Sequence, residues 1–149
     1  MSFSPSAIAT AIAALSVSGV RIKDLNGVPA SIVDRDCPLL IPSYEFVTNA
    51  IGTPKSLGLT GSAVYSYEYD VNYLLYIAEV GAGRGPANYL QEVIQKAEAI
   101  AAAIQTADTA LGAHRVSLSG TLATTTLREP SEKLSFHGAT LTFHVWESA

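Results

Sequence analysis

The sequence is short of charge and almost without cysteine. Charged residues fill 15% of its 149 positions, against 48% hydrophobic. Soluble domains usually carry about a quarter charged. A chain this poor in charge either closes a simple compact core or hides further surface against partners. The nine basic residues stand singly, with Arg21 and Lys23 the nearest pair, and the net charge is −4. A dedicated nucleic-acid binder needs clustered Lys and Arg, so that class is disfavoured. Cys37 is the only cysteine. One thiol cannot close an internal disulfide or build a cysteine zinc site, and it fits a reducing cytoplasm. No run reaches the roughly 18 apolar residues of a membrane span, so none is expected. The start, "MSFSPSAIATAIAALSVSG", has an apolar run but no basic residue before it. A signal peptide needs that positive start, so the segment reads as a helix.

Catalytic patterns are equally scarce. His114, His137 and His144 form no H-x-H or H-x-x-x-H pair, and no metal site is expected. His137 and His144 would point to opposite faces of one strand unless a bulge intervened. There is no G-x-S-x-G elbow, and Cys37 in its apolar, proline-flanked run reads as a small buried residue. "VGAGRGPAN" offers Gly81, Gly83 and Gly85, but Pro86 takes the place of the third glycine of a dinucleotide fingerprint. The acidic residue at the right distance, Asp108, falls inside a helical pattern. "GTPKS" lacks the glycine before Lys55 that a phosphate loop requires. Glu68 and Asp70 share a strand face and read as two solvated charges rather than an acid–base pair. The reading is of a non-enzyme with no cofactor.

What is present is periodicity. Ser4-Pro5 is a helix start, followed by Ile8, Ile12 and Leu15 at helical spacing. This predicts a short helix over 5–16 that Gly19 ends. "GVRIKDL" alternates as a strand, Asn26-Gly27 suits a two-residue hairpin, and "ASIVDRD" is a candidate returning strand. "CPLLIPSYEFV" carries Pro38 and Pro42, which confine it to an edge strand or two short pieces. Residues 49–62, rich in glycine and threonine, predict an exposed, mobile loop. Alternation then holds over about fifteen residues from Ala63, far beyond an ordinary strand. After Asn72 both faces turn apolar, as in a central strand covered on both sides. "RGPANYLQEVIQKAEAIAAAIQTADTALG" is the clearest helix, with Leu90, Val93, Ile94, Ala97, Ala101, Ile104 and Leu111 on one stripe. Its cap is Asn88, or Gly85 ahead of Pro86. Two more strands finish the chain, and a change of phase at His137-Gly138 predicts a β-bulge. The fold class is α+β: one domain, helices packed on an antiparallel or mixed sheet that contains a long strand.

Five of the seven tyrosines lie between Tyr65 and Tyr76. They are either a half-buried face under a helix or anchors at a protein contact, where tyrosine is enriched. A strand longer than its domain favours contact. Tyr65, Tyr67, Tyr69 and Arg84 are the expected interface residues.

In order of elements the chain resembles the tail-completion, or tail-terminator, proteins of long-tailed bacteriophages. The resemblance rests on the short N-terminal helix, "CPLLIPSYEF", the loop "TNAIGTPKSLGLTG", the strand "YEYDVNYLLYIAEVG", the helix over 88–111 and the hairpin ending "LTFHVWE". It implies a homo-oligomer, a hexameric ring in the virion neck that is assembled in the host cytoplasm. The ring would cap the tail tube protein, meet the head–tail connector protein, and let DNA pass without specific binding. Other neck or minor tail proteins share the layout. Two readings of other classes stand beside it: a nucleotide- or anion-binding enzyme using the 81–88 glycine loop, and a monomeric binding module presenting the tyrosine face.

Overall fold

The computed structural model describes residues 4–56, 63–81, 85–107 and 114–147, with side chains apart from those of 53–56, 63–66 and 114–122. Helix α1 spans Pro5–Ala13 and helix α2 spans Pro86–Thr106. The strands are β1 (Arg21–Ile22), β2 (Leu39–Ser56), β3 (Ala63–Glu79), β4 (His114–Arg128) and β5 (Ser135–Glu147). They form one mixed sheet in the order β1-β2-β3-β5-β4. β1 runs parallel to β2, and every other neighbouring pair is antiparallel. The fold is α+β, as the periodicities predict.

Both helices start where proline sits inside the first turn, after Ser4 and after Gly85. Of the two candidate caps for the long helix, Gly85 is therefore the one used. α1 ends at Ala13, short of the predicted boundary, and Gly19 (φ 74°) instead closes the tight turn that bridges Val17 to Val20. The apolar sides of both helices cover one face of the sheet. Ile8, Ala9 and Ile12 from α1 and Val93, Ala97, Ile100 and Ile104 from α2 pack there with Tyr69, Val71, Tyr73 and Leu75 of β3. Leu141, Phe143 and Val145 of β5 complete this main core. Leu90, on the predicted stripe, is exposed.

A second, smaller core lies on the opposite face, at one end of the sheet. Ile32 packs there against Leu39, Ile41, Tyr76 and Phe136, with Cys37 and Leu74 beside it. The covering segment is not the hairpin that Asn26-Gly27 predicts. Leu25–Gly27 and Asp34–Asp36 are single turns of 3-10 helix. The Asp24 carboxylate accepts from the Leu25 N–H, and Asp34 accepts from the Glu79 N–H at 2.9 Å, which fixes the segment to the end of β3. The local bonds, Asp24 to the Leu25 N–H and Asp36 to the Val33 N–H, compete with strand pairing and win.

Two cores also explain the phase change in β5. Leu134 and Phe136 belong to the small core, and Ala139, Leu141, Phe143 and Val145 to the main one. The register does shift at His137-Gly138, where the facing residues are Ala78 and Tyr76. The extra residue of the bulge is Ile77, on β3 rather than β5. His137 stacks on Tyr89 of α2 while His144 bonds Asp70 on the other face, so the two histidines do point apart.

The predicted mobile loop is corrected over most of its length. Residues 49–56 continue β2 and pair with β3, from Ile51↔Glu68 to Ser56↔Ala63. Residues 57–62 lie outside the described residues. Prolines are tolerated here because β2 has a strand on its outer side only at Leu39 and Leu40 among the described residues.

Candidate functional site

Among the described residues, strands β2 and β3 run on past the strand beside them. β3 pairs with β5 only from Tyr67 to Glu79. Ala63–Ser66 and Thr53–Ser56 pair only with each other among the described residues. They form a two-stranded ribbon that extends past the body of the sheet. Such a ribbon is marginal in water without a third strand or a covering surface. The ring of Tyr67 lies at its root, over Gly52, where a methyl group would meet it at 3.0 Å.

The expected interface residues fall in different places. Tyr65 stands in the ribbon, paired with Pro54, and its side chain is outside the described ones. Arg84 is outside the described residues. Tyr67 is half-buried against the main core. Tyr69 is corrected: it is fully buried, and its hydroxyl donates to Glu147 Oε1 at 2.9 Å. Its phenol pKa is raised by burial first and by that carboxylate second. The helices claim this stretch of the tyrosine face, so Tyr69 has no surface to offer a partner.

The face away from the helices carries the chemistry. Glu68, Asp70 and Asn72 of β3 stand opposite Trp146, His144 and Thr142 of β5. The Asp70 carboxylate lies 2.8 Å from His144 Nδ1 and accepts from Asn49 at 2.9 Å. Glu68 lies 3.7 Å from His144 Nε2, and the edge of one ring meets the other where His144 contacts Trp146. The reading of Glu68 and Asp70 as two solvated charges is therefore wrong for Asp70, which is bonded and half-buried. Asn72 is a clasp. Its amide N–H groups reach the Glu45 carbonyl (2.9 Å) and Thr48 Oγ1 (3.0 Å), and its oxygen accepts from Thr142 at 2.8 Å.

That clasp holds a wide bulge in β2, where Ser43–Phe46 face the single residue Asn72. The bulge turns Phe46 inward, edge-on to Tyr73 at 5.5 Å, and throws Tyr44 wholly into solvent. Sequence reasoning missed Tyr44. The only signal for it was Pro42 two residues earlier, which marks an irregular edge. Beside Tyr44 runs a groove of about 680 Å³, lined by Leu25, Val28, Ile41, Leu74 and Tyr76 and rimmed by Arg128 and Glu132.

Cys37 and Tyr76 lie together in the small core. Burial, then Asp34 and Asp36, push the Cys37 thiol up to about 12. Burial, then Glu129, push the Tyr76 phenol up to about 12. The described His, Cys, Asp and Glu residues hold no group of three arranged for a metal ion. Among the described residues, no helix is long and apolar enough to cross a membrane.

The glycine loop after β3 leads into α2 and then β4, which forms an antiparallel hairpin with β5. A dinucleotide fold needs the strand after the helix to lie parallel beside the first. Here β5 separates β3 from β4. β4 is therefore not the adjacent strand that a dinucleotide fold places beside β3. No family model matches the chain, and no curated protein matches it either.

Proposed function

We propose that the protein is a structural subunit that assembles with copies of itself into a ring at the head-proximal end of a long-tailed phage tail tube. There it ends tube growth and meets the head connector. The observation that carries the assembly reading is the β2–β3 ribbon, which outruns its own sheet. The order of elements, which resembles that of tail-completion proteins, supplies the phage context. A net charge of −4 suits a ring through which DNA must slide, since a basic lumen would grip it.

The test is light scattering behind size-exclusion chromatography, with negative-stain imaging of each peak, with and without purified tail tubes. A hollow ring that caps tubes is the expected result. Rings that ignore tubes would point to another neck or minor tail role. A second reading, a monomeric binding module, is favoured by the groove beside Tyr44. A chain that stays monomeric and leaves tubes uncapped would give that reading the lead.

A further inference from the structure

The two long edges of the sheet are guarded very differently. The β2 edge carries Pro42 and Pro54, two register irregularities and the charge of Glu45, and β1 covers its start. These are devices that stop a sheet edge from pairing with another chain. β4, the opposite edge, has one register irregularity, between Leu118 and Thr121, and carries its charges only near its two ends. No charged residue and no proline stands between Arg115 and Arg128. Ala123, Thr124, Thr125 and Thr126 are all exposed. Successive residues of a strand point to opposite faces. Over this stretch both faces of β4 are therefore in solvent, as well as its outer edge.

The chain also holds a matching element. In the ribbon, Ala63–Ser66 have β2 on one side and, among the described residues, nothing on the other. Ala63–Ser66 contain no proline and no charge, and Val64 and Tyr65 are good strand formers. The other side of the ribbon contains Pro54, which has no N–H to donate. The flanks differ in sign. β4 carries His114, Arg115 and Arg128 and no acid, whereas Glu68 and Asp70 follow the ribbon on β3.

We propose that the outer edge of β4, at Ala123–Thr126, is a docking edge that takes the Ala63–Ser66 side of the ribbon of a second copy of this chain. The contact is backbone pairing by strand addition. Donor and acceptor are different surfaces of one subunit, so the contact is head-to-tail and closes into a ring when the rotation permits. This rests on the reading that the chain assembles with itself, and the experiment below separates the two.

Two variants break opposite halves of the contact. Thr124→Lys/Thr126→Lys guards the β4 edge and leaves the ribbon intact. Val64→Lys spoils the ribbon and leaves the edge intact. Each should keep the wild-type circular dichroism spectrum and a cooperative melt, yet lose self-association by about tenfold or more in Kd. Mixed in equal amounts, they should form a discrete heterodimer, because each supplies the half the other lacks. Mere misfolding would leave the mixture monomeric. The inference is overturned if either folded variant still forms the wild-type oligomer. It is also overturned if the mixture stays monomeric, or if the wild-type chain never associates. Rings that form through this contact but fail to cap tail tubes would sink the tail-terminator reading and leave this one standing.

Discussion

Glu147 holds Ser4 by main chain and side chain at once, across nearly the whole sequence. The Ser4 N–H lies 3.1 Å from Oε1 and 3.2 Å from Oε2, and Ser4 Oγ donates to Oε1 at 2.7 Å. Tyr69 donates to the same oxygen. The carboxylate is buried at the end of β5 and faces the N-terminus of α1, where peptide dipoles favour negative charge. It thus ties the first helix to the last strand. Glu147→Gln places an N–H group where donors already converge, and should cost about 2 kcal/mol of stability. Ser4→Ala should cost less, and the double variant should cost less than the sum of the two. Urea unfolding of the three variants measures this. A neutral Glu147→Gln would show that the tie contributes nothing.

Tyr73 presents the opposite case. Its ring is fully buried, edge-on to Phe46 and Phe143, and its hydroxyl has no hydrogen-bond partner among the described residues. Burial raises its pKa, with Asp24 adding to the effect. A buried hydroxyl without a partner carries its desolvation cost uncompensated. Tyr73→Phe should therefore stabilise the protein by about 1 kcal/mol, seen as a higher urea midpoint at unchanged slope. A loss of similar size would mean that the hydroxyl has a partner.

The sequence reveals periodic elements well and their surroundings poorly. α2 is legible because Val93, Ala97 and Ile104 recur on one stripe and Pro86 marks the start. β3 is legible because its odd positions meet the helices while Glu68, Asp70 and Asn72 do not. Residues 49–56 mislead because glycine, threonine and proline are local signals for a loop, whereas pairing with β3 is a long-range effect. The tyrosines mislead differently. Residue type marks Tyr69 as a contact candidate, but which face the helices cover decides burial, and that is settled by α1 and α2 far away in sequence. Tyr44 reverses the error, since only the bulge held by Asn72 exposes it. In the polar cluster, His144 and Asp70 lie 74 residues apart and meet only through strand register.

The turn between β4 and β5 should sense acid. Glu129 is buried and accepts from Ser131 Oγ, from the Ser131 N–H at 2.7 Å, and from the Lys133 N–H at 3.2 Å. The Ser131 hydroxyl leads in lowering its pKa to about 2, from an ordinary 4.5. A depressed carboxylate stabilises the fold fully above its unfolded pKa, and the benefit fades as pH falls through the folded one. The window therefore runs from about pH 4.5 down to about 2. Unfolding free energy should fall across it, and Glu129→Gln should flatten that part of the slope. Urea titrations at pH 5 and pH 3 compare the two proteins; identical slopes would rule Glu129 out as the sensor.

Gly138 should tolerate no side chain at all. It faces Tyr76 beside the bulge at Ile77, where β3 and β5 come unusually close. A Cβ at this position would overlap the carbonyl oxygen of Leu75 and press on Leu127 Cδ1 at 3.0 Å. A flexible side chain can yield, but a backbone carbonyl inside a sheet cannot without breaking the ladder. Gly138→Ala should therefore cost about 3 kcal/mol or more, at the upper end for overpacking. Ala139→Gly, one residue on and fully buried, should cost only about 1 kcal/mol through lost contact and added chain entropy. The comparison separates crowding from a general intolerance of this strand. Equal losses in urea unfolding would mean that the strand, rather than the close approach at Gly138, sets the penalty.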